Sequence, residues 1–202
     1  MRRIGITQRV ERVDGDDEIR DALDQNWIRL VAALSMTPIP LPNVVENVGD
    51  YISALSLDAV ILTGGNDLCG SSGGASASRE RDDFEFALLR VAGDRALPVI
   101  GVCRGMQVLA AAHGGALTPV AGHVAVRHIV RMDEIMRPWY PAEQDVNSYH
   151  RYGLREIPAH APLLATGRDN DGWVEALRHR DLPHHGIMWH PERETPFREE
   201  DL

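Results

Sequence analysis

The chain contains no lysine. All 21 of its basic residues are arginine, which excludes a phosphate-binding loop built on lysine and any enzyme that holds its substrate as a Schiff base. Cysteine is nearly absent too. Cys69 and Cys103 alone make no disulfide framework, a usage that suits a reducing cytoplasm. No apolar run approaches the roughly 20 residues of a membrane span. The strand-like start, Met1 to Thr7, lacks the apolar core of a signal peptide. Positive charge is short as well: 21 cations stand against 30 anions, a net charge of −9. That balance argues against non-specific binding of nucleic acid. The expectation is a cytoplasmic protein with neither a membrane nor a nucleic acid as partner.

What is present is an ordinary globular composition, 44% hydrophobic and 25% charged, at a length of 202 residues that suits a single domain over 1–202. The first half alternates strand and helix. Arg3 to Thr7 reads as a strand. Asp16 to Ser35 reads as a helix with Ile19, Leu23, Trp27, Leu30, Val31 and Leu34 on one face and Asp16, Asp17 and Glu18 in its first turn. Thr37 to Leu41 is a proline-interrupted edge strand. Glu46 to Leu55 is a helix burying Val48, Ile52 and Leu55, and Ala59 to Leu62 is an apolar strand. Gly70 to Ser78 is small and polar, a mobile loop, and Arg79 to Ala92 is a helix with Phe84, Leu88 and Val91 on one face. This rhythm predicts a mainly parallel sheet covered on both faces, with ligands beyond the carboxyl ends of the strands. In the second half Val124 to Met132, Leu163 to Ala165, Trp173 to Leu177 and Gly186 to Trp189 read as antiparallel additions to the same domain.

The most informative stretch is Pro98 to Gly115. Val99 to Val102 is the β-branched run of a buried parallel strand. Cys103 follows between Gly101 and Gly105. From Arg104 the pattern becomes helical, with Met106, Val108, Leu109 and Ala112 apolar, and ends at Gly114-Gly115. Gly-x-Cys-x-Gly on a strand-to-helix turn is the thiol counterpart of a nucleophile elbow. The tip of so tight a turn pushes its side chain outward, and backbone crowding two positions away calls for glycine. The helix N-terminus beneath supplies partial positive charge and free N–H groups, which favour thiolate and can hold an oxyanion. A merely buried cysteine would fit these residues as well, so a nucleophile requires a base elsewhere in the chain.

His190-Pro191-Glu192 offers one. In an extended chain His190 and Glu192 project to the same face, so that Glu192 orients the imidazole while its other nitrogen faces the thiolate. Cys69, in a flexible loop without an elbow, is incidental. The nine histidines show no His-Glu-x-x-His spacing and no cysteine pair accompanies them, so no metal site is expected. His184-His185 reads as a solvated loop pair and His113 as a partner of a helix C-terminus. His150 lacks a neighbouring acid and is not the base. The glycines of 64–74 form neither a P-loop nor a dinucleotide fingerprint.

Gly-Val-Cys-Arg-Gly-Met-Gln around Cys103, together with Trp189-His-Pro-Glu192, resembles the class I glutamine amidotransferase superfamily. The resemblance implies an α/β fold, a flavodoxin-like three-layer sandwich with a mainly parallel central sheet and antiparallel additions in the C-terminal half. It implies a catalytic triad of Cys103, His190 and Glu192, with oxyanion-hole amides from Gly65 and Arg104. By the same resemblance Gln107 helps hold the glutamyl end of the substrate, and Gly64, Asn66, Asp67, Asn147, Ser148, Tyr149 and His150 line the substrate site. No cofactor is implied. Arg81-Asp82 with Glu85, and Val146 to His150, are similar to the free-standing γ-glutamyl hydrolase branch, the peptidase C26 type. Gly5 to Arg9, Gly64 to Leu68, Asn147 to Gly153 and Trp189 to Glu194 resemble more closely the γ-glutamyl-CDP-amidate hydrolases, which serve phosphoramidate synthesis for bacterial capsule polysaccharide. Only ten residues follow Glu192, so the terminal helix usual in that family is expected to be cut short or absent.

The resemblance thus implies hydrolysis of a small γ-glutamyl amide, the partner otherwise being at most a second copy in a homodimer. Three alternatives stay open: a hydrolase of γ-glutamyl-aminobutyrate or γ-glutamyl polyamines, a glutaminase subunit passing ammonia to a synthetase, and a non-enzymatic regulatory or binding protein. For a nucleotide leaving group, local cations must offset the chain's negative charge. Arg104 or Arg79 is expected to meet the phosphate, with Asn66 and Asp67 on the same rim; Arg127 and His123 follow the elbow helix.

Overall fold

A computed structural model describes residues 1–13, 15, 17–70 and 76–201. The chain opens with β1 (Arg3–Thr7), β2 (Arg9–Arg12), β3 (Ile19–Ala22), α1 (Gln25–Ala33) and β4 (Thr37–Leu41). It continues through α2 (Val48–Leu55), β5 (Ala59–Leu62), α3 (Arg79–Asp94), β6 (Val99–Val102) and α4 (Arg104–Ala112). The second half carries β7 (Thr118–Pro119), β8 (Val124–Met132), β9 (Glu143–Tyr149), β10 (Tyr152–Gly153), β11 (Leu163–Asp169), β12 (Val174–His179) and β13 (His184–Ile187). Single 3₁₀ turns span Glu134–Met136, Pro191–Arg193 and Glu199–Asp201.

A nine-stranded sheet runs in the order β4-β1-β5-β6-β13-β12-β11-β8-β9. Every pairing from β4 to β13 is parallel and every pairing from β13 to β9 antiparallel. The α/β fold with antiparallel strands in its C-terminal half is therefore as the sequence implied, with one exception. The last strand, expected over Gly186 to Trp189 as an antiparallel addition, is β13, which pairs parallel with β6 and closes the parallel half. Alternation along the strands divides the apolar side chains between two faces. Val60, Leu62 and Val99 join α2, α3 and α4 in one core, whereas Ile4, Ile6, Ile61, Val102 and Ile187 join α1 in the other. Each such side chain contributes about 1.5–3 kcal/mol on burial, so the two layers hold the sheet from both sides. A cavity of about 540 Å³ lies on the α1 face against Ile4, Ile61 and Ile100 and reaches Pro98, the end of β6 opposite Cys103.

Several elements depart from their sequence-based expectations. The helix expected over 16–35 is a β2–β3 hairpin followed by a shorter helix; Asp16 itself lies outside the described residues. Asp24 caps α1 by accepting from the Asn26 N–H at 2.9 Å, so the helix starts there. Trp27, Leu30 and Val31 keep their buried face, while Ile19 is 50% exposed on the hairpin. Asn66 holds the hairpin in place through the Val10 N–H (2.8 Å) and C=O (2.9 Å). Of the loop expected at Gly70 to Ser78, residues 71–75 lie outside the described residues; Ser78 caps α3. Strand β9 has no counterpart in the sequence reading, and β11 runs on to Asp169. The last strand begins at His184, so His184-His185 is not a solvated loop.

His184 is buried within 6.0 Å of the His179 ring, which lies 5.2 Å from that of His113, the C-cap of α4. Burial, and then His179, hold His184 down to about 4. It is thus neutral in the folded chain, whereas the unfolded chain takes up its proton near 6.5. Stability should fall as pH drops from about 6.5 towards about 4. His184→Asn should flatten that slope in urea unfolding measured across this range; an unchanged slope would free His184 of the role.

Candidate active site

Cys103 occupies the turn between β6 and α4 with φ 52° and ψ −104°, a conformation rare outside glycine. Its surroundings fix it there. Its N–H donates to the Ile187 carbonyl at 2.8 Å and its carbonyl accepts from the Gln107 N–H at 3.1 Å, the first bond of the helix. A Cβ at Gly105 would lie 2.1 Å from the Leu62 carbonyl oxygen, and one at Gly101 would lie 2.5 Å from the Gly105 backbone. Strand and helix can meet at this angle only with glycine at both places.

His190 stands over the same spot. A Cβ at Gly64 would meet His190 Cε1 at 2.8 Å and Cys103 Cβ at 3.6 Å. His190 Nδ1 lies 2.7 Å from Glu192 Oε1. The chain is not extended here, contrary to the sequence reading. A 3₁₀ turn begins at His190, and Pro191 at its first position brings Glu192 back under the ring. Asn147 clamps the histidine's backbone from both sides, accepting from its N–H at 2.9 Å and donating to its carbonyl at 2.8 Å. Burial pushes the imidazole down, but the neighbouring Cys103 sulfur and then Glu192 outweigh it and raise His190 to about 9. His190 Nε2 has no hydrogen-bond partner among the described residues.

The 63–66 loop completes one wall. Arg81, fully buried, donates to the carbonyls of Thr63 (2.7 Å) and Gly64 (3.0 Å). In a trans peptide the N–H opposes the carbonyl, so the Gly65 N–H is turned away from Arg81, and Gly65 takes φ 96° to allow it. Arg81 also pairs with Glu85 at 2.9 Å. Arg104, only 1% exposed, pairs with Glu85 and Asp82. Its guanidinium is buried in an ion network and cannot serve a phosphate, which corrects the expectation for that side chain.

A cleft of about 240 Å³ opens above Cys103 and His190, lined further by Gly65, Asn66, Asp67, Gln107, Tyr149 and His150. Gln107 donates to the Tyr152 carbonyl at 2.9 Å. Asn147 and Ser148 are instead held by protein groups, Ser148 by the His123 carbonyl at 2.8 Å. Arg79 does not line the cleft, and Arg127 is paired with Asp145 and Glu194. The cleft's exposed cations are Arg151 and Arg193, which the sequence reading did not single out. Arg151 makes no ion pair among the described residues, and Arg193 stacks on Tyr149 at 4.3 Å. Both sit in the Asn147 to Gly153 and Trp189 to Glu194 motifs, where position next to His150 and Glu192 was the available signal. His150 does have an acid beside it: its Nε2 is 3.4 Å from Glu175 Oε1. Together with His123 these two residues form a grouping able to hold a metal ion, which the spacing rules did not reveal.

Two measurements test this geometry. Glu85→Ala strands two buried arginines and should cost about 3–5 kcal/mol in urea unfolding; a loss under about 1 kcal/mol would show the network to be dispensable. In histidine NMR, His190 should stay protonated through neutral pH and titrate near 9. Cys103→Ala should lower that value, since burial then acts with less opposing charge. A wild-type titration at the ordinary 6.5 would separate His190 from the sulfur.

The peptidase C26 family model matches residues 3–192 of the chain. A γ-glutamyl-CDP-amidate hydrolase of Campylobacter jejuni is 30% identical over 196 residues, covering 95% of this chain and 90% of its own. A γ-glutamyl-γ-aminobutyrate hydrolase of Escherichia coli is 27% identical over 94% of this chain and 85% of its own. A glutamine amidotransferase of Thermotoga maritima shares the fold with a TM-score of 0.69 at 14% identity, over 98% of this chain and 80% of that one. On the match across residues 3–192, the chain belongs to the peptidase C26 family, the γ-glutamyl hydrolase-like class I glutamine amidotransferases.

Proposed function

We propose that the protein is a single-domain, cysteine-dependent hydrolase that releases glutamate from a γ-glutamyl amide, γ-glutamyl-CDP-amidate in particular. The observation that carries the reading is Cys103 on its elbow, facing an imidazole that Glu192 holds at 2.7 Å, at the floor of a cleft. The Cys103 thiolate adds to the γ-carbonyl carbon. The N–H groups of Gly65 and Arg104 receive the developing oxyanion. The imidazolium of His190 gives its proton to the leaving nitrogen, the C–N bond breaks and a thioester remains. His190, now neutral, takes a proton from water, whose oxygen adds to the thioester carbonyl. Cleavage of the C–S bond frees glutamate and returns the thiolate. Asn147 positions His190 through its backbone.

Support for a nucleotide leaving group comes from the Campylobacter relative and from the rim of the cleft. Arg151 and Arg193 are the cations there and replace Arg104 as the groups offered to phosphate. The Gly65 N–H, aimed by Arg81, speaks for an oxyanion site formed without a partner subunit, and so against an ammonia-delivering glutaminase.

Glutamate release should be compared for glutamine, γ-glutamyl-aminobutyrate, a γ-glutamyl polyamine and γ-glutamyl-CDP-amidate. The CDP-amidate conjugate should be fastest, and Cys103→Ala should lower its turnover by at least about 10³-fold. Arg151→Ala should raise KM for this substrate by at least about tenfold, with little change for an uncharged γ-glutamyl amide and less effect at high salt. Activity surviving in Cys103→Ala would end the hydrolase reading. A preference for an uncharged amide would end only the nucleotide assignment.

A further inference from the structure

Five ionisable side chains of the antiparallel half gather beside the cleft and have no part in the chemistry above. His123 precedes β8 and His128 lies on it, His150 follows β9, Asp169 ends β11 and Glu175 sits on β12. Glu175 is fully buried, and neither of its carboxylate oxygens has a hydrogen-bond partner among the described residues. A buried carboxylate so placed needs a positive charge against it.

Three atoms converge in front of it. His123 Nδ1 and His150 Nε2 are 3.2 Å apart, His150 Nε2 and Glu175 Oε1 are 3.4 Å apart, and His123 Nδ1 and Glu175 Oε1 are 3.6 Å apart. The last two separations are long for hydrogen bonds. All three are close to the spacing of tetrahedral zinc ligands, about 3.3–3.4 Å when each bond is about 2.0–2.1 Å.

The outer edges of both rings fit the same purpose. His123 Nε2 lies 3.2 Å from Asp169 Oδ2, and His150 Nδ1 lies 3.0 Å from the Tyr152 carbonyl oxygen. Acceptors so placed draw each ring proton to the outer nitrogen and leave the inner lone pair free. In that tautomer two imidazole lone pairs and a carboxylate oxygen face one another with no donor between them. A cation resolves this. The competing occupant is a proton, with His123 as imidazolium between Asp169 and Glu175.

We propose that His123 Nδ1, His150 Nε2 and Glu175 Oε1 bind one divalent d-block cation of the zinc type. Two imidazoles and a carboxylate suit that class of metal. The cation joins β12 to the chain entering β8 and leaving β9, and so sets the 149–152 wall of the cleft, which includes His150. His128 Nε2 lies 3.5 Å from Glu175 Oε2, on the other oxygen of the carboxylate.

The test uses the full chain without a histidine tag, stripped by chelation and titrated with Zn²⁺ against a chromophoric chelator, and with Co²⁺ by visible absorption. One equivalent should bind per chain, Co²⁺ should show the intense bands of tetrahedral coordination, and Zn²⁺ should raise Tm. Asp169→Asn should weaken binding by about 10–100-fold. Glu175→Gln should weaken it by more and abolish the rise in Tm, with circular dichroism to establish that each variant folds. If Glu175→Gln does not fold, Asp169→Asn and His123→Gln decide. Cys103→Ser should bind with unchanged affinity. The proposal is overturned if no saturable site exists, if the variants bind as the wild type does, or if Cys103→Ser loses the metal, which would place it on the thiol and His190.

Discussion

A buried network of two arginines and two carboxylates, Arg81, Arg104, Asp82 and Glu85, links the three pieces of backbone that must meet at the site. Glu85 and Asp82 belong to α3, Arg104 is the residue after Cys103, and Arg81 reaches the 63–64 carbonyls. Burial acts against the charge on Glu85, but Arg104 and Arg81 more than offset it and hold its carboxyl below the usual range. Arg81 is pushed down by burial and by Arg104 to about 10, still charged at neutral pH. Desolvating four ions is costly, and an apolar cluster of equal volume would stabilise the fold as well. What the ions add is direction. A guanidinium held by Glu85 can grip a particular carbonyl, and that grip decides which way the next N–H faces.

The sheet topology brings the remaining groups to the same edge. β6 lies between β5 and β13, all three parallel, so the 63–65 loop, Cys103 and His190 all leave from carboxyl ends. Beyond β13 the direction reverses, and the return strand β9, at the far edge of the sheet, carries Asn147 to the backbone of His190. The parallel half delivers Cys103 and His190, the groups of the proposed chemistry, and the antiparallel half holds the backbone of one of them.

The parts of this arrangement that were legible in the sequence rest on local sterics. Gly101, Gly105 and the helical pattern after Cys103 report the elbow because only glycine clears the Gly105 backbone at the first position and Leu62 at the second. His190-Pro-Glu192 was legible as a pair, though through a 3₁₀ turn instead of an extended chain. Strand β9 escaped because its buried side chains include Gln144, Asn147 and Ser148, inward-facing yet polar, so it lacks the apolar alternation that marks a half-buried strand. The β2–β3 hairpin escaped because Asn66, 56 residues from Val10, holds it. Arg104 looked like a free cation because its partners are 19 and 22 residues earlier. His123, His150 and Glu175 meet only through the register of β8, β9 and β12, which no spacing rule records.

The absence of lysine has a structural counterpart at the centre of the fold. Arg81 alone contacts Glu85, Asn66, both carbonyls of the 63–64 loop and the Thr63 hydroxyl. Five planar donors in a fixed fork can do this; an ammonium with three donors would leave a buried acceptor unpaired. Arg104 answers two carboxylates at once in the same way. Arginines at these positions are interior hydrogen-bonding scaffolds, which is why a chain of net charge −9 keeps cations where solvent does not reach them. The positive charge left at the rim of the cleft is then carried by exposed residues, Arg151 and Arg193. The two populations of one residue type divide the work, those inside fixing the Gly64–Gly65 peptide and those outside meeting whatever enters the cleft.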